Sequence, residues 1–329
     1  MNGRGTITGG LLAAAMAALA GIAQAQTQPQ TQPQEAYPTR PIQVINPYQA
    51  GNVTDLMTRA AAAGLSQHLG QPVVVLNRDG AAGAVGALAG ARAAADGYTL
   101  VFAPALVLSV LPVTQPASGL RADALRPVCQ LFSNAQGIAV RLDSPFRSLT
   151  DLAEAAKAAP GRLTYGTLGI ASIPHLAMLQ WTRAAGVEMA HIPYRGDGPA
   201  LTEVLAGRLD AAAIVLGSAS GRTDMRLLAI FDTARNPAFP EVPTAMEGGY
   251  DVAPVSFGGL LAPAATPPAR VAVLEAACAA VAEGEVYRAA ARRALQPTSF
   301  HTGAAAFAGR LARDIAEKRE LLRGVTVAE

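Results

Sequence analysis

From Pro41 onward, short apolar runs alternate with stretches of helical period, and that order restricts the chain to an α/β architecture. Ile42–Asn46 is a buried-strand signal bounded by prolines. Thr54 or Asp55 can then cap a helix whose apolar face ends at Gly70. Val73–Leu76, a glycine- and alanine-rich helix over Ala81–Ala94, and Tyr98–Ala103 continue the pattern. Strand–helix–strand order with crossovers implies a parallel sheet. The pattern recurs without sequence identity. Ile138–Leu142 is a strand, and Ser148-Leu149-Thr150-Asp151 is a capping-box start for a helix to Ala159. Leu163–Thr167, a helix from Ile173 to Ala185, Val187–Ile192, a helix over Pro199–Ala206, Leu209–Leu216 and Arg226–Phe231 follow. Val255–Leu261 and helices within 267–323 come last, and so much terminal helix is expected to return to the first sheet.

Ahead of this region, Arg4, an apolar run from Leu11 to Ala23, and Ala23-Gln24-Ala25 have the order of a secretory signal peptide, cleaved after Ala25. Residues 26–36 form a polar tether with no apolar period. The expected domains are therefore 1–25 signal peptide, 26–36 tether, 37–140 plus 255–329 as one discontinuous lobe, and 141–254 as the other. Export allows a Cys129–Cys278 disulfide, but two separate buried thiols fit the sequence as well.

Several functions are excluded. Lys+Arg of 26 against Asp+Glu of 24 leaves no electrostatic case for a nucleic-acid surface. The two lysines, Lys157 and Lys318, sit in no phosphate-loop motif, and the four histidines form no His-Glu-x-x-His helix. Gly80-Ala81-Ala82-Gly83-Ala84-Val85-Gly86 has GxxGxxG spacing, which better suits close helix–sheet packing than a dinucleotide. Gly217-Ser218-Ala219-Ser220-Gly221 places alanine where a nucleophile elbow needs serine. No cofactor, metal or catalytic set is expected.

Ligands of open α/β sheets lie beyond the carboxyl ends of strands, at helix starts. Two such loops put free backbone N–H groups where an anion could sit. The first offers Tyr48, Gln49, Gly51, Asn52, Thr54 and Asp55; the second offers Thr167, Gly169, Ala171, Ser172 and His175. Ser218, just past the Leu209–Leu216 strand, completes the candidate ligand-binding set. Neither loop contains Arg or Lys, so neutral donors and helix dipoles must hold the anion.

Ordered motifs now carry a resemblance. They are Tyr37-Pro38-Thr39-Arg40-Pro41-Ile42, the Pro47–Asp55 loop, Leu69-Gly70-Gln71-Pro72-Val73-Val74-Val75 and Asp96-Gly97-Tyr98-Thr99-Leu100. His191-Ile192-Pro193-Tyr194-Arg195-Gly196-Asp197-Gly198-Pro199-Ala200-Leu201 is the longest, followed by Phe239-Pro240-Glu241-Val242-Pro243-Thr244 and Gly258-Gly259-Leu260-Leu261-Ala262-Pro263. From Tyr37 to its end the chain resembles the periplasmic substrate-binding receptors of tripartite tricarboxylate transporters, the Bug family. The resemblance implies a two-domain periplasmic-binding-protein-like clamshell, each domain a mostly parallel sheet flanked by helices. It also implies a receptor without catalysis that delivers a small carboxylate to membrane transporter subunits; a monomer is expected, and two lobes joined by crossing strands near 140 and 254 should hinge-close on the ligand. Signalling to a sensor kinase is the alternative use of the same pocket, and a periplasmic hydrolase built on Ser172 is a third.

The chain departs from the family pattern. Asn52 stands where members usually carry a second glycine, and Leu168, Ile170, Ala171, Ile173 and Pro174 replace a stretch rich in glycine and serine. Phe102-Ala103-Pro104-Ala105 lacks the usual Ser/Thr donors. The expectation is a less polar pocket, selecting a carboxylate with an apolar body over citrate-like polyacids.

Overall fold

The computed structural model describes residues 36–298 and 300–323. The expected signal peptide and residues 26–35 of the tether lie outside the described residues. Strand β1 (Ile42–Asn46), helix α1 (Val53–Leu69), β2 (Val73–Asn77), α2 (Ala84–Ala91) and β3 (Thr99–Pro104) open the fold. Two short helices, α3 (Leu106–Ser109) and α4 (Leu111–Thr114), lead to β4 (Leu125–Asn134) and β5 (Gln136–Arg141). Then come α5 (Leu149–Ala158), β6 (Thr164–Thr167), α6 (Ile173–Ala185), β7 (Ala190–Pro193), α7 (Asp197–Leu205), β8 (Ala211–Val215) and β9 (Met225–Phe231). The chain closes with β10 (Ser256–Pro263), α8 (Pro268–Glu283), α9 (Glu285–Arg293), β11 (Thr302–Gly303) and α10 (Ala304–Leu321).

Two sheets result, β11-β4-β10-β3-β1-β2 and β7-β6-β8-β5-β9. Each is mixed rather than mostly parallel. The helix-linked pairs β1–β2, β1–β3, β6–β7 and β6–β8 are parallel, whereas β10 runs antiparallel to β3 and β4, and β5 runs antiparallel to β8 and β9. The reason is connectivity. The chain leaves the first sheet at Asn134, enters the second at Gln136, and returns at Ser256 in the opposite direction. Strand β5 thus belongs to the second sheet from its first residue, although the sequence pattern assigned residues as far as 140 to the first lobe.

Period-two burial explains the layers. Ile42 and Val44 face a core shared with Leu274 and Cys278 of α8, while Ile45 faces one shared with Phe307 and Leu311 of α10. The terminal helices do return to the first sheet. The second sheet buries Ile138 and Val140 against Leu152 of α5 and Trp181 of α6, with Ala139 and Ala212 against Leu201 of α7 on the other side. A disulfide joins Cys129 on β4 to Cys278 on α8. Three local expectations change. Asn52, not Thr54 or Asp55, caps α1. The helix expected over Ala81–Ala94 becomes a 3-10 turn, Ala81–Gly83, and the shorter α2, because Gly80 through Gly83 all have positive φ. The strand expected from Val187 starts at Ala190, after the left-handed cap Gly186 of α6.

Candidate functional site

The loop from β1 to α1 is organised by a carboxylate of its own. Asp55, 4% exposed, accepts hydrogen bonds from Gly51 N (2.9 Å), Asn77 Nδ2 (2.8 Å) and Arg59 Nε (3.0 Å). Its own N–H donates to Asn52 Oδ1 at 2.8 Å. The Gly51 N–H expected to meet a ligand anion is therefore already occupied by Asp55, which shapes the loop. Burial pushes the Asp55 carboxyl up, but the Arg59, Gly51 and Asn77 hydrogen bonds together prevail and hold it at about 2. An acid held below its unfolded value stabilises the fold above pH 4 and loses that contribution as pH falls toward 2. Asp55→Ala removes the acceptor of four donors, the three above and Asn46 Nδ2 at 3.4 Å, and is expected to lower stability by about 2–3 kcal/mol, read by denaturant unfolding at neutral pH. An unchanged midpoint would show that the loop holds without it.

The loop from β6 to α6 is built on two stacked imidazoles. His175 and His191 have ring centroids 3.9 Å apart with 12° between their planes, and Tyr165 stacks on His191 at 5.0 Å. His175 Nδ1 accepts from Ala171 N at 2.9 Å, which places the ring proton on Nε2 and holds Ala171 at a φ of +58°. Thr167 Oγ1 lies 2.8 Å from His191 Nε2 and accepts from Gly169 N at 3.2 Å. Ser172 caps α6, its hydroxyl donating to Gly169 O at 2.7 Å and accepting from His175 N at 3.4 Å. The hydroxyl meets the backbone of His175 and not its imidazole, so the pair is a helix cap and not a nucleophile with its base.

Burial pushes both imidazoles down to about 4, with the charge His175 would carry adding to the effect at His191. Unfolded histidine takes its proton near 6.5, so the folded state is favoured fully above that pH and loses this contribution between 6.5 and 4. For His175, 5% exposed, the contribution is on the order of 3 kcal/mol. Protonation at Nδ1 also removes the acceptor that holds Ala171. Thermal midpoints measured across that range should fall steeply, and His175→Gln should flatten the fall. A wild-type midpoint constant from pH 6.5 to 4 would contradict it.

Between the two sheets lies a cavity of about 380 Å³. Tyr48, Ala82 and the apolar face of α3–α4 (Leu106, Val110, Leu111) form one wall, and residues 168–174 with Val215 form the other. Its floor is the chain crossing between sheets, Asn134 and Gln136 on the way out and Ser256 on the way back. No charged side chain lines it. Its polar groups are the side chains of Tyr48, Thr114, Gln115, Asn134, Gln136, Ser172 and Ser256, and among the described residues the N–H groups of Ile170 and Ile173 have no hydrogen-bond partner. Gln136 donates to Asn134 O at 2.8 Å while its Oε1 is left without a partner.

Of the candidates chosen from sequence, Tyr48, Gly169, Ala171 and Ser172 line this cavity. Gly51, Asn52, Thr54 and Asp55 do not; they make the start of α1. Gln49 is turned to Asp79 (3.2 Å), and Ser218 to Asp197 (2.7 Å). Thr167 and His175 sit behind the loop and set its shape. Sequence reading missed α3–α4 and the crossing residues. Ala105-Leu106-Val107-Leu108 directly follows the carboxyl end of β3, so the strand-end rule that selected the other loops could have selected this one. Among the described residues no cluster of metal-ligating side chains occurs, and no helix is long and apolar enough to cross a membrane.

Known proteins share this fold. A family model described as "Tripartite tricarboxylate transporter family receptor" matches residues 57–301. The chain is 36% identical to Protein BugT of Bordetella pertussis over 251 residues, 73% of this chain and 76% of that protein. It is similar to a crystal structure of a TctC solute-binding protein from Polaromonas with no ligand, at a TM-score of 0.79 and 30% identity, covering 88% of this chain and 100% of that one. R. palustris Rpa4515 with adipate is similar at a TM-score of 0.74 and 26% identity over 88% of this chain and 98% of that one. MatC from Rhodopseudomonas palustris with bound malate gives 0.70 and 26%, covering 87% and 100%.

Proposed function

This chain belongs to the tripartite tricarboxylate transporter receptor family, and from that premise we propose that it is an exported, monomeric, non-catalytic receptor. Its ligand is a small carboxylate with an apolar body, held between the lobes and presented to a membrane transporter. The observation that carries this reading is the uncharged, largely apolar cavity between the two helix-start loops. A single carboxylate meets the Ile170 and Ile173 N–H groups and the amide and hydroxyl side chains of the floor. The start of α6 adds a favourable dipole. Each hydrogen bond to a charged acceptor contributes about 1.5–3 kcal/mol, so two or three such donors suffice without an arginine. The remaining surface, Leu106, Val110, Leu111, Leu168 and Val215, matches methylene groups. A citrate-like polyacid would press its other carboxylates against that surface without partners, which costs more than the first one gains. Adipate, the acid with Rpa4515, shares the apolar chain but carries a carboxylate at each end, so in this cavity its second carboxylate would have to reach the polar side chains of the floor or the solvent-facing mouth.

The crossings at Ala135 and residues 253–255 are the natural hinge, since the chain passes between sheets there. Calorimetry with adipate, a straight-chain monoacid and citrate tests the reading. Binding that strengthens with apolar chain length, with citrate weakest, is the expected order. Tight citrate binding with no response to the monoacid would refute it.

A further inference from the structure

The side of the crossing opposite the carboxylate cavity holds a second and larger one. Strand alternation puts Ser256 on the front floor and turns Val255 and Phe257 the other way. There they meet a cavity of about 630 Å³, walled by α10 of the first lobe and the end of α6 of the second. In contrast to the front, this cavity is rich in charge. Arg310, Arg313, Asp314 and Lys318 project from one stripe of α10, and Arg183 faces them from α6.

The charges are not equivalent. Lys318 pairs with Asp314, both buried, so that carboxylate is already neutralised. Arg183 Nη2 donates to Leu321 O at 3.3 Å, which ties α6 to the end of α10. Arg310 is half-buried, with its guanidinium carbon 4.0 Å from the Phe257 ring centroid. Among the described residues it makes no hydrogen bond. Stacking fixes the plane of the guanidinium and leaves its edge donors directed away from the ring, which is the arrangement that grips an oxyanion in two-point fashion. Arg313 stands exposed one turn along the same stripe; Glu317, a further turn along α10, and Asp251, from the crossing segment, are likewise exposed to water. Burial lowers the affinity of Arg310 for its proton; Asp314 and Asp232 offset part of this and Arg313 adds to it, so a further anionic partner relieves the cost that remains.

We propose that this reverse cavity is a second solute site, binding the oxyanion group of a small molecule, carboxylate or phosphate, through Arg310 and Arg313. Because its walls come from both lobes, its occupant is linked to hinge position, and by reciprocity to the front cavity. The assignment of this site rests on its own residues, whatever acid the front cavity takes. Calorimetry with inorganic phosphate and with succinate separates the two sources of the oxyanion. The proteins compared are wild type, Arg310→Met, Arg313→Ala and the front-filling Ile170→Trp, each checked for an unchanged fold by circular dichroism. Saturable binding that Arg310→Met weakens about tenfold or more, Arg313→Ala weakens severalfold, and Ile170→Trp retains, shifted only through the hinge, is expected. Phosphate alone assigns a phosphorylated solute and succinate alone a carboxylate. No saturable binding of either at millimolar concentration overturns the proposal, as does binding that ignores both arginine variants and disappears in Ile170→Trp.

Discussion

Gly259→Val should leave no folded protein at physiological temperature. Strand β10 is squeezed between β3 and β4, and its two glycines accommodate one neighbour each. A Cβ on Gly259 would stand 2.2 Å from Cys129 O and 2.8 Å from Leu131 N; one on Gly258 would stand 2.2 Å from Ala103 O. These are backbone atoms of paired strands, so no rotamer change relieves the overlap. Register shifts at Gly258/Gly259 and Leu260/Leu261 already show β10 adjusting to β4. Overpacking a core with side chains costs about 1–3 kcal/mol, and displacing ladder backbone costs more, which is a large share of a domain's net stability. Soluble yield and thermal unfolding would measure it; a Gly259→Val protein melting within a few degrees of wild type would contradict the geometry. The consequence reaches the site, because β10 begins at Ser256 on the cavity floor.

Removing the disulfide should have the other large effect. Cys129 and Cys278 are separated by 149 residues, and closing a loop of that size removes about 5 kcal/mol of chain entropy from the unfolded state in the simplest treatment. The double variant Cys129→Ala, Cys278→Ala is therefore expected to lose about 3–5 kcal/mol and to melt roughly 10 °C lower. Both cysteines are fully buried, so a reductant should act on the native protein only through opening of the first lobe. Equal melting temperatures for the variant and wild type would show that packing alone holds α8 against β4.

Local signals were legible in the chain. The helix predicted over Ile173–Ala185 has those bounds, with Ser172 as its cap and Gly186 in the left-handed conformation at its end. The Ser148 capping box forms with Asp151 in both directions. The long motif beginning at His191 also acquires physical meaning. His191 stacks under the loop, Gly196 takes a φ of +128°, and Asp197 accepts from Val215 N at 3.0 Å and from Ser218 Oγ at 2.7 Å. What sequence could not supply is distant partnership. That Asp55 consumes the Gly51 N–H depends on Asn77, which arrives from the next strand. The disulfide depends on α8 returning to β4, and spacing alone left its two cysteines undecided. The apolar wall from α3–α4 was hidden for a different reason: a short helix over a cavity and one over a core have the same apolar composition.

The most direct measurement is a crystal structure of the mature protein with the acid it binds most tightly. The acid's carboxylate is expected on the Ile170 and Ile173 amides beside Ser172, with its carbon chain against Val110 and Leu168 and no guanidinium within hydrogen-bond distance. A carboxylate gripped by arginine, with the uncharged front cavity left empty, would contradict it.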